Sequence, residues 1–331
     1  MGDFNTGAAP VGVLARALTG NVFMEENLAY MNEGDKDSYN AYKHDLKNVL
    51  RARTVNPSSN LGASAKKAAH NRVLGVVETI EGFDPGEYHN HWREYQPEGV
   101  FDFENLPREV QMVLEELFLG TAAEAAGELL TTGDGSVAGI VGIVTQMRSA
   151  ALVTLNGDAA TPEQTVSNTR MAFKATAGGS GINLGVAIVS GNLLDKFELM
   201  ISNQTKAMRK RPGRKFMVSQ EIADIFGALQ RDLTIHKGVS IDAEGVMKYG
   251  GYELVINNDF GASEIMLASM TGDLKTDAIQ LGTSMSADFN NVIVDKIDNF
   301  SRNMGMLLTF ALDIYVVRPE EVCFYTDQAA I

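Results

Sequence analysis

The apolar residues Val110, Val113, Leu114, Leu117 and Phe118 recur at the spacing of a single helical face. Asn105 can cap this helix, Pro107 suits its first turn, and Ala122, Ala123, Ala125 and Ala126 extend it with high propensity. Gly133-Asp134-Gly135 then ends it with residues that tolerate positive φ. The pattern predicts a helix over 107–131, roughly 36 Å long at about 1.5 Å per residue. A second helical face is read from Leu193, Phe197, Met200, Ile201 and Met208, closed by the turn Arg211-Pro212-Gly213-Arg214. A third, capped by Ser219, carries Ile222, Ile225, Phe226 and Leu229.

Strand patterns lie between and after these helices. Lys215 to Val218 and Tyr252 to Ile256 read as strands, and so does the apolar run from Met306 to Val317, stopped by Arg318-Pro319. Helices and strands alternate without a regular βαβ repeat, which predicts an α+β fold. Residues 76 to 105 hold Gly82, Pro85, Gly86, Pro97 and Gly99 among aromatics and read as an extended hairpin or long loop. The first 70 or so residues lack a continuous core pattern and read as an arm. Within it Tyr39, Tyr42, Leu46, Val49 and Leu50 fall at helical spacing and predict one amphipathic helix that packs on something other than its own arm, the alternative being the domain that follows.

Composition narrows the function classes. A chain of 331 residues that is 45% hydrophobic can fill one large core or two ordinary ones. Its longest apolar stretches, such as Gly185 to Ser190 and Leu307 to Leu312, fall far short of the roughly 20 residues a membrane helix needs, so no membrane partner is expected. The start, Met1-Gly2-Asp3-Phe4-Asn5, lacks the features of a secretory signal, and synthesis in the cytoplasm is expected. Cys323, the single cysteine, sits in a β-like run and reads as a core thiol. A net charge of -14 works against any broad phosphate-binding surface.

No catalytic constellation stands out. His89-Asn90-His91 with Glu87 and Glu94 lacks a further ligand cluster, and exposed loop histidines are the simpler reading. Gly178 to Gly185 is glycine-rich, but it lacks a preceding strand and a Gly-Lys-Ser/Thr ending and reads as a flexible loop. Gly133-Asp134-Gly135-Ser136 is not followed by the carboxylates of a calcium loop. With no nucleophile elbow either, the chain is expected to be no enzyme, with no metal and no cofactor.

Charge is distributed unevenly. From Glu78 to Glu116 there are eleven acidic residues against two basic ones, Arg93 and Arg108. Lys206, Arg209, Lys210, Arg211, Arg214 and Lys215 form the one strongly basic cluster. It can be a solvated face that complements a helix C-terminus, or it can meet the acidic segment of another copy. The second reading names Glu87, Trp92, Glu94, Tyr95 and Glu98 on one side and Arg209, Lys210, Arg211 and Arg214 on the other as inter-subunit contacts.

In this order the features resemble a known family. The long helix ending in Gly133-Asp134-Gly135 is followed by Gly142-Ile143, a helix from Asn192 to Lys206, and Lys215-Phe216-Met217-Val218-Ser219 leading into a helix through Leu229-Gln230-Arg231-Asp232. Gly250 to Val255, with Glu253 where the family has proline, Ile265 to Ser269 before Gly272, Asp298 to Met304, Arg318-Pro319 and a last strand to Tyr325 continue the order. Across residues 76 to 326 the chain resembles the major capsid proteins of tailed bacteriophages, with the Hong Kong 97 fold that encapsulins share. The resemblance implies an N-terminal arm (1–72), an extended loop (73–105), a peripheral domain with the spine helix (106–150 and 306–331), and an axial domain (151–305).

It further implies self-assembly into hexamers and pentamers of an icosahedral head, built in the host cytoplasm and ending in the virion. Portal and scaffolding proteins, decoration proteins and weakly contacted double-stranded DNA are the implied partners. An encapsulin-type compartment is the alternative within the fold, and a soluble α+β enzyme using residues 178–185 is the alternative outside it. Some family members weld subunits through a loop lysine and an asparagine near Asn299 or Asn303, helped by a buried glutamate. Here no lysine lies between Lys67 and Lys174, and the strand from Met306 to Val317 carries only Asp313 as an acid, so a shell without that crosslink is expected.

Overall fold

The computed structural model describes residues 22–26, 28–34, 38–46, 65–83, 108–148, 187–202, 204, 206–231, 238–242, 245–284, 292–296, 304–318 and 321–326. Among them, in chain order, come α1 (Val22–Glu25), β1 (Tyr30–Gly34), β2 (Ser38–Leu46), β3 (Ala65–Val73), β4 (Gly75–Phe83), α2 (Arg108–Thr132) and α3 (Ile143–Arg148). Next are α4 (Leu193–Ser202), α5 (Lys206–Lys210), β5 (Arg214–Val218), α6 (Gln220–Arg231), β6 (Val239–Ile241), β7 (Met247–Tyr249) and β8 (Tyr252–Ile256). The last are β9 (Ile265–Ser269), β10 (Ile279–Ser284), β11 (Val292–Lys296), β12 (Met304–Val316) and β13 (Cys323–Tyr325). The mixture is α+β, and no described helix is long and apolar enough to cross a membrane.

The long strand β12 organises the first sheet, whose order is β1-β10-β12-β11, with β4 also paired to β12. Its side chains alternate between two surroundings, as the two-residue period of a strand requires. Met306, Leu308, Phe310, Leu312, Ile314 and Val316 join the main core, where Phe118, Leu119, Ala122, Ala126 and Leu130 of α2 cover them. Ala311, Tyr315 and Val317 face the other way and pack with Tyr39, Ala41 and Leu74. An apolar run with both faces covered is what the uninterrupted hydrophobicity of Met306 to Val317 encodes.

The helix predicted over 107–131 is α2, one residue later at each end. Beyond it the chain doubles back tightly: Gly142 N donates to the carbonyl of Gly133 at 2.8 Å. A Cβ on Gly142 would come within 2.5 Å of the Thr131 carbonyl oxygen, so this crossing needs glycine. The crossing launches α3, whose Gln146 locks it to β12. Gln146 Nε2 donates to the carbonyls of Val141 and Ile314, both at 2.7 Å, and its Oε1 accepts from Val316 N at 3.2 Å.

The second sheet has the order β13-β9-β5-β8-β7-β6 and lies between two cores. Phe216, Val218, Ile265, Leu267, Cys323 and Tyr325 face α4 and α6, whereas Met217, Met266, Ala268 and Phe324 face the main core. Phe197 of α4 centres the smaller core, its ring 4.7 Å from Phe216 and 5.2 Å from Tyr249. Ser219 caps α6 as expected, its hydroxyl accepting from Ile222 N at 3.4 Å. Cys323 is buried against Met208.

Two sequence expectations are corrected. The helix read through Tyr39, Tyr42 and Leu46 is strand β2, paired antiparallel with β3 from Ser38↔Val73 to Leu46↔Ala65. Tyr39 and Ala41 point inward and Asn40 outward, so the ladder and the pocket on the main sheet override the helical spacing. Val49 and Leu50 lie outside the described residues. The second helix is also not continuous: α4 ends at Ser202 and α5 begins at Lys206, with Gln204 buried between them. The extended reading from residue 76 holds over β4, which runs along β12 from Phe83↔Met304 to Gly75↔Leu312.

Candidate functional site

Three arrangements of polar side chains stand out from the core packing. The first fastens the β2–β3 hairpin to the main sheet. Arg72 and Tyr39 are cross-strand partners, so both side chains emerge on one face and converge on Asp313 of β12. Arg72 donates from Nε to Oδ2 at 3.0 Å and from Nη2 to Oδ1 at 3.1 Å, and the Tyr39 hydroxyl donates to Oδ2 at 2.9 Å. The Arg72 guanidinium also lies 4.7 Å from the centre of the Tyr315 ring. Burial pushes the Asp313 carboxyl above its ordinary value, while the bonds from Arg72 and Tyr39 pull it back part of the way. Burial likewise lifts Tyr315 to about 12.

The second arrangement joins the two cores. Arg211 grips Glu321 with Nε at 2.9 Å and Nη2 at 3.0 Å, and its Nη1 donates to the Lys275 carbonyl at 3.1 Å. Nearby, the fully buried Arg318 donates from Nη1 to the Asp277 carbonyl at 2.9 Å. At the opposite end of strands β9 and β13 Glu264 accepts from Arg148 Nε at 2.9 Å, from Thr326 Oγ1 at 3.1 Å and, through its other oxygen, from Gly261 N at 2.9 Å. In both groups an arginine holds the buried carboxylate, which offsets the cost of burying its charge.

The third is a cleft of 480 Å³ where α4, α5 and the start of β5 meet, bounded by Glu198, Ser202, Gln204, Arg209, Arg214 and Tyr252. The basic cluster predicted from sequence is divided here. Arg211 turns into the chain toward Glu321, and Arg214 stacks over Tyr252 at 4.9 Å and donates to Gln204 Oε1. Arg209 and Lys210 are exposed, and Arg209 Nη2 donates to the Ser202 carbonyl at 2.9 Å. Lys215 lies 3.4 Å from Glu253. The structure thus brings Arg209 and Arg214 to one cleft and sends Arg211 elsewhere.

Glu87, Trp92, Glu94, Tyr95 and Glu98 lie outside the described residues, as do His89, His91 and the glycine-rich segment 178–185. Asp134 closes the turn after α2: its Oδ1 accepts from Ser136 N at 2.8 Å, and Asp134 pairs with Val141 in an isolated bridge. Among the described residues no three His, Cys, Asp or Glu side chains form a metal-holding group. Neither the Asp313 clasp nor the roles of Glu264 and Glu321 were foreseen. A lone acid inside the apolar run of β12 was the only sequence signal for the first.

No family model matches the chain, and no curated protein matches its sequence. Its architecture does have solved counterparts. A chain of the satellite phage P4 procapsid including size determination (Sid) protein superposes on 96% of this chain and 99% of its own, at 11% identity and a TM-score of 0.55. The chain has the Hong Kong 97-like fold. A chain of the cyanophage A-1(L) capsid asymmetric unit covers 94% of each partner at 11% identity and a TM-score of 0.51. The holo-SrpI encapsulin complex from Synechococcus elongatus superposes more loosely, at 10% identity and a TM-score of 0.47, over 92% of this chain and 87% of that one. Within this Hong Kong 97-like fold, α2 is the long helix lying across the main sheet, and β1 to β4 are added to or laid upon that sheet.

Proposed function

We propose that the protein is the major shell subunit of a phage head, which acts by packing against copies of itself and not by catalysis. The observation that carries this reading is the correspondence, over nearly the whole of both chains, with a chain of a phage procapsid. The charge pattern supports it: a subunit of net charge -14 that lines a shell would not grip a packaged polyanion. Hexamers and pentamers of an icosahedral particle, with double-stranded DNA inside and portal, scaffolding and decoration proteins as partners, belong to the same proposal, as does a place in the virion after assembly in the host cytoplasm.

The division into an arm (1–72), extended loop (73–105), peripheral domain (106–150 and 306–331) and axial domain (151–305) is proposed with it. So are contacts between Glu87, Trp92, Glu94, Tyr95 or Glu98 of one copy and the exposed cations Arg209 and Lys210 of another. Size-exclusion chromatography and electron imaging of the purified chain test the function. Megadalton particles or free capsomers are expected, and a monomer or small oligomer under all assembly conditions would overturn it. DNA inside native particles separates a head from an encapsulin-type compartment, which would hold protein cargo.

A further inference from the structure

The cleft between α4, α5 and β5 is a prebuilt donor site. Arg214 is held from two sides, by the Tyr252 ring beneath it and by Gln204 Oε1 in front of it. Arginine can only donate, so this bond orients the Gln204 amide and directs its Nε2 away from Arg214. That Nε2 is buried and has no hydrogen-bond partner among the described residues, although Gln204 is only 5% exposed. Arg209 donates from Nη2 to the Ser202 carbonyl at 2.9 Å, and its exposed side chain bounds the same cleft. Glu198, the one acid on the wall among the described residues, is approached by the Tyr249 hydroxyl at 3.3 Å. Beside that acid the wall offers the Gln204 Nε2 donor and the positive charges of Arg209 and Arg214.

We infer that this cleft receives a carboxylate side chain from the acidic segment 84–104 of a second copy. The inference rests on the shell-subunit reading and names the chemistry of one of its contacts. A planar carboxylate matches a guanidinium fork held in place before binding, which lowers the ordering cost of the contact. The size of the cleft suits a side chain, whereas a nucleic-acid backbone needs a broad basic surface that a chain of net charge -14 lacks. That segment supplies six acids against one arginine, Arg93, a charge complementary to the cleft.

The test uses the 331-residue chain below its assembly concentration and a labelled peptide spanning residues 84–104. A second peptide has its Asp and Glu changed to Asn and Gln, and the variants are R209Q and K275Q. Lys275 is exposed, lies outside the cleft, and controls for the change in charge. The acidic peptide is expected to bind, and the amide peptide to bind about tenfold more weakly. R209Q is expected to lose about the same factor with its thermal midpoint unchanged, and K275Q to lose nothing.

Three outcomes would overturn the inference: equal binding of both peptides, equal losses in R209Q and K275Q, or displacement of the peptide by inorganic phosphate or a short DNA duplex at matched ionic strength. Particle formation by the unaltered chain is scored separately. Particles without peptide binding sink this inference alone, whereas absence of particles sinks the shell reading.

Discussion

Arg72 of the N-terminal hairpin holds Asp313 of the long strand with two nitrogens, at 3.0 and 3.1 Å, on the face of the sheet opposite the long helix. The Asp313 side chain is only 2% exposed, so its charge depends on that partner. R72M strands a buried carboxylate and is expected to lower the unfolding free energy by about 3 kcal/mol. R72M/D313L removes both charges and is expected to recover most of the loss. Urea titration measures the stabilities, and hydrogen exchange over β2 and β3 shows whether the hairpin loosens first.

Tyr39 lies flat against Gly282, so closely that a Cβ there would come within 2.3 Å of the ring. Gly282 is the residue paired with Asp313, which places the ring beside the carboxylate it bonds. G282A should therefore cost about 1–3 kcal/mol by displacing the ring. Y39A/G282A should cost less than the sum of the single changes, and the double-mutant cycle reads that coupling.

Asp277 predicts a pH dependence. Its Oδ1 accepts from Thr271 N and Oγ1, both at 2.7 Å, while its buried Oδ2 has no hydrogen-bond partner among the described residues. Burial raises its pKa above the ordinary carboxylate value by more than the Thr271 bonds lower it. A carboxyl raised on folding favours the native state most below its unfolded value of about 3.9, and that advantage is lost as pH rises through the folded value. D277N keeps the acceptor but not the charge, so its stability relative to the native chain should increase from pH 4 to pH 7. Urea midpoints across that range check the slope, and a constant difference would count against the assignment.

The basic cluster should split by role. R211E removes the partner of Glu321, a residue 2% exposed, and should destabilise the subunit by about 3 kcal/mol. R209E/K210E changes exposed groups and should leave subunit stability within about 0.5 kcal/mol. The double reversal should instead shift particle yield and its salt dependence, read by light scattering over a range of ionic strength.

Particles formed as proposed are expected to come apart fully on boiling in detergent. No lysine lies between Lys67 and Lys174, and Asp313, the acid in the long strand, is engaged by Arg72 and Tyr39. High-mass ladders on a denaturing gel of mature particles would show that another crosslink exists.

The periodicity of Val110 to Phe118 and the glycines at 133 and 135 placed α2 to within a residue at each end, because capping and helical spacing are local properties. Tyr252 to Ile256 and the apolar run of β12 were legible for the same reason, and the order of these elements carried the resemblance to the fold that the solved capsid structures share. Tyr39, Tyr42 and Leu46 misled, because a helical spacing of aromatics also fits a strand once a partner ladder and a pocket exist, and β3 and Gly282 supply both. The division of the basic cluster was equally hidden: Arg211 and Arg209 are two residues apart, yet one meets Glu321 and the other a cleft wall.

The amino-acid pattern by itself determined α2, α6, β5, β8 and β12, their order and the uneven charge. Tertiary structure decided which side chains of those elements meet. Arg72 and Asp313 are 241 residues apart and Arg211 and Glu321 are 110 apart, and pairings over such separations depend on chain topology and burial, which no local period encodes.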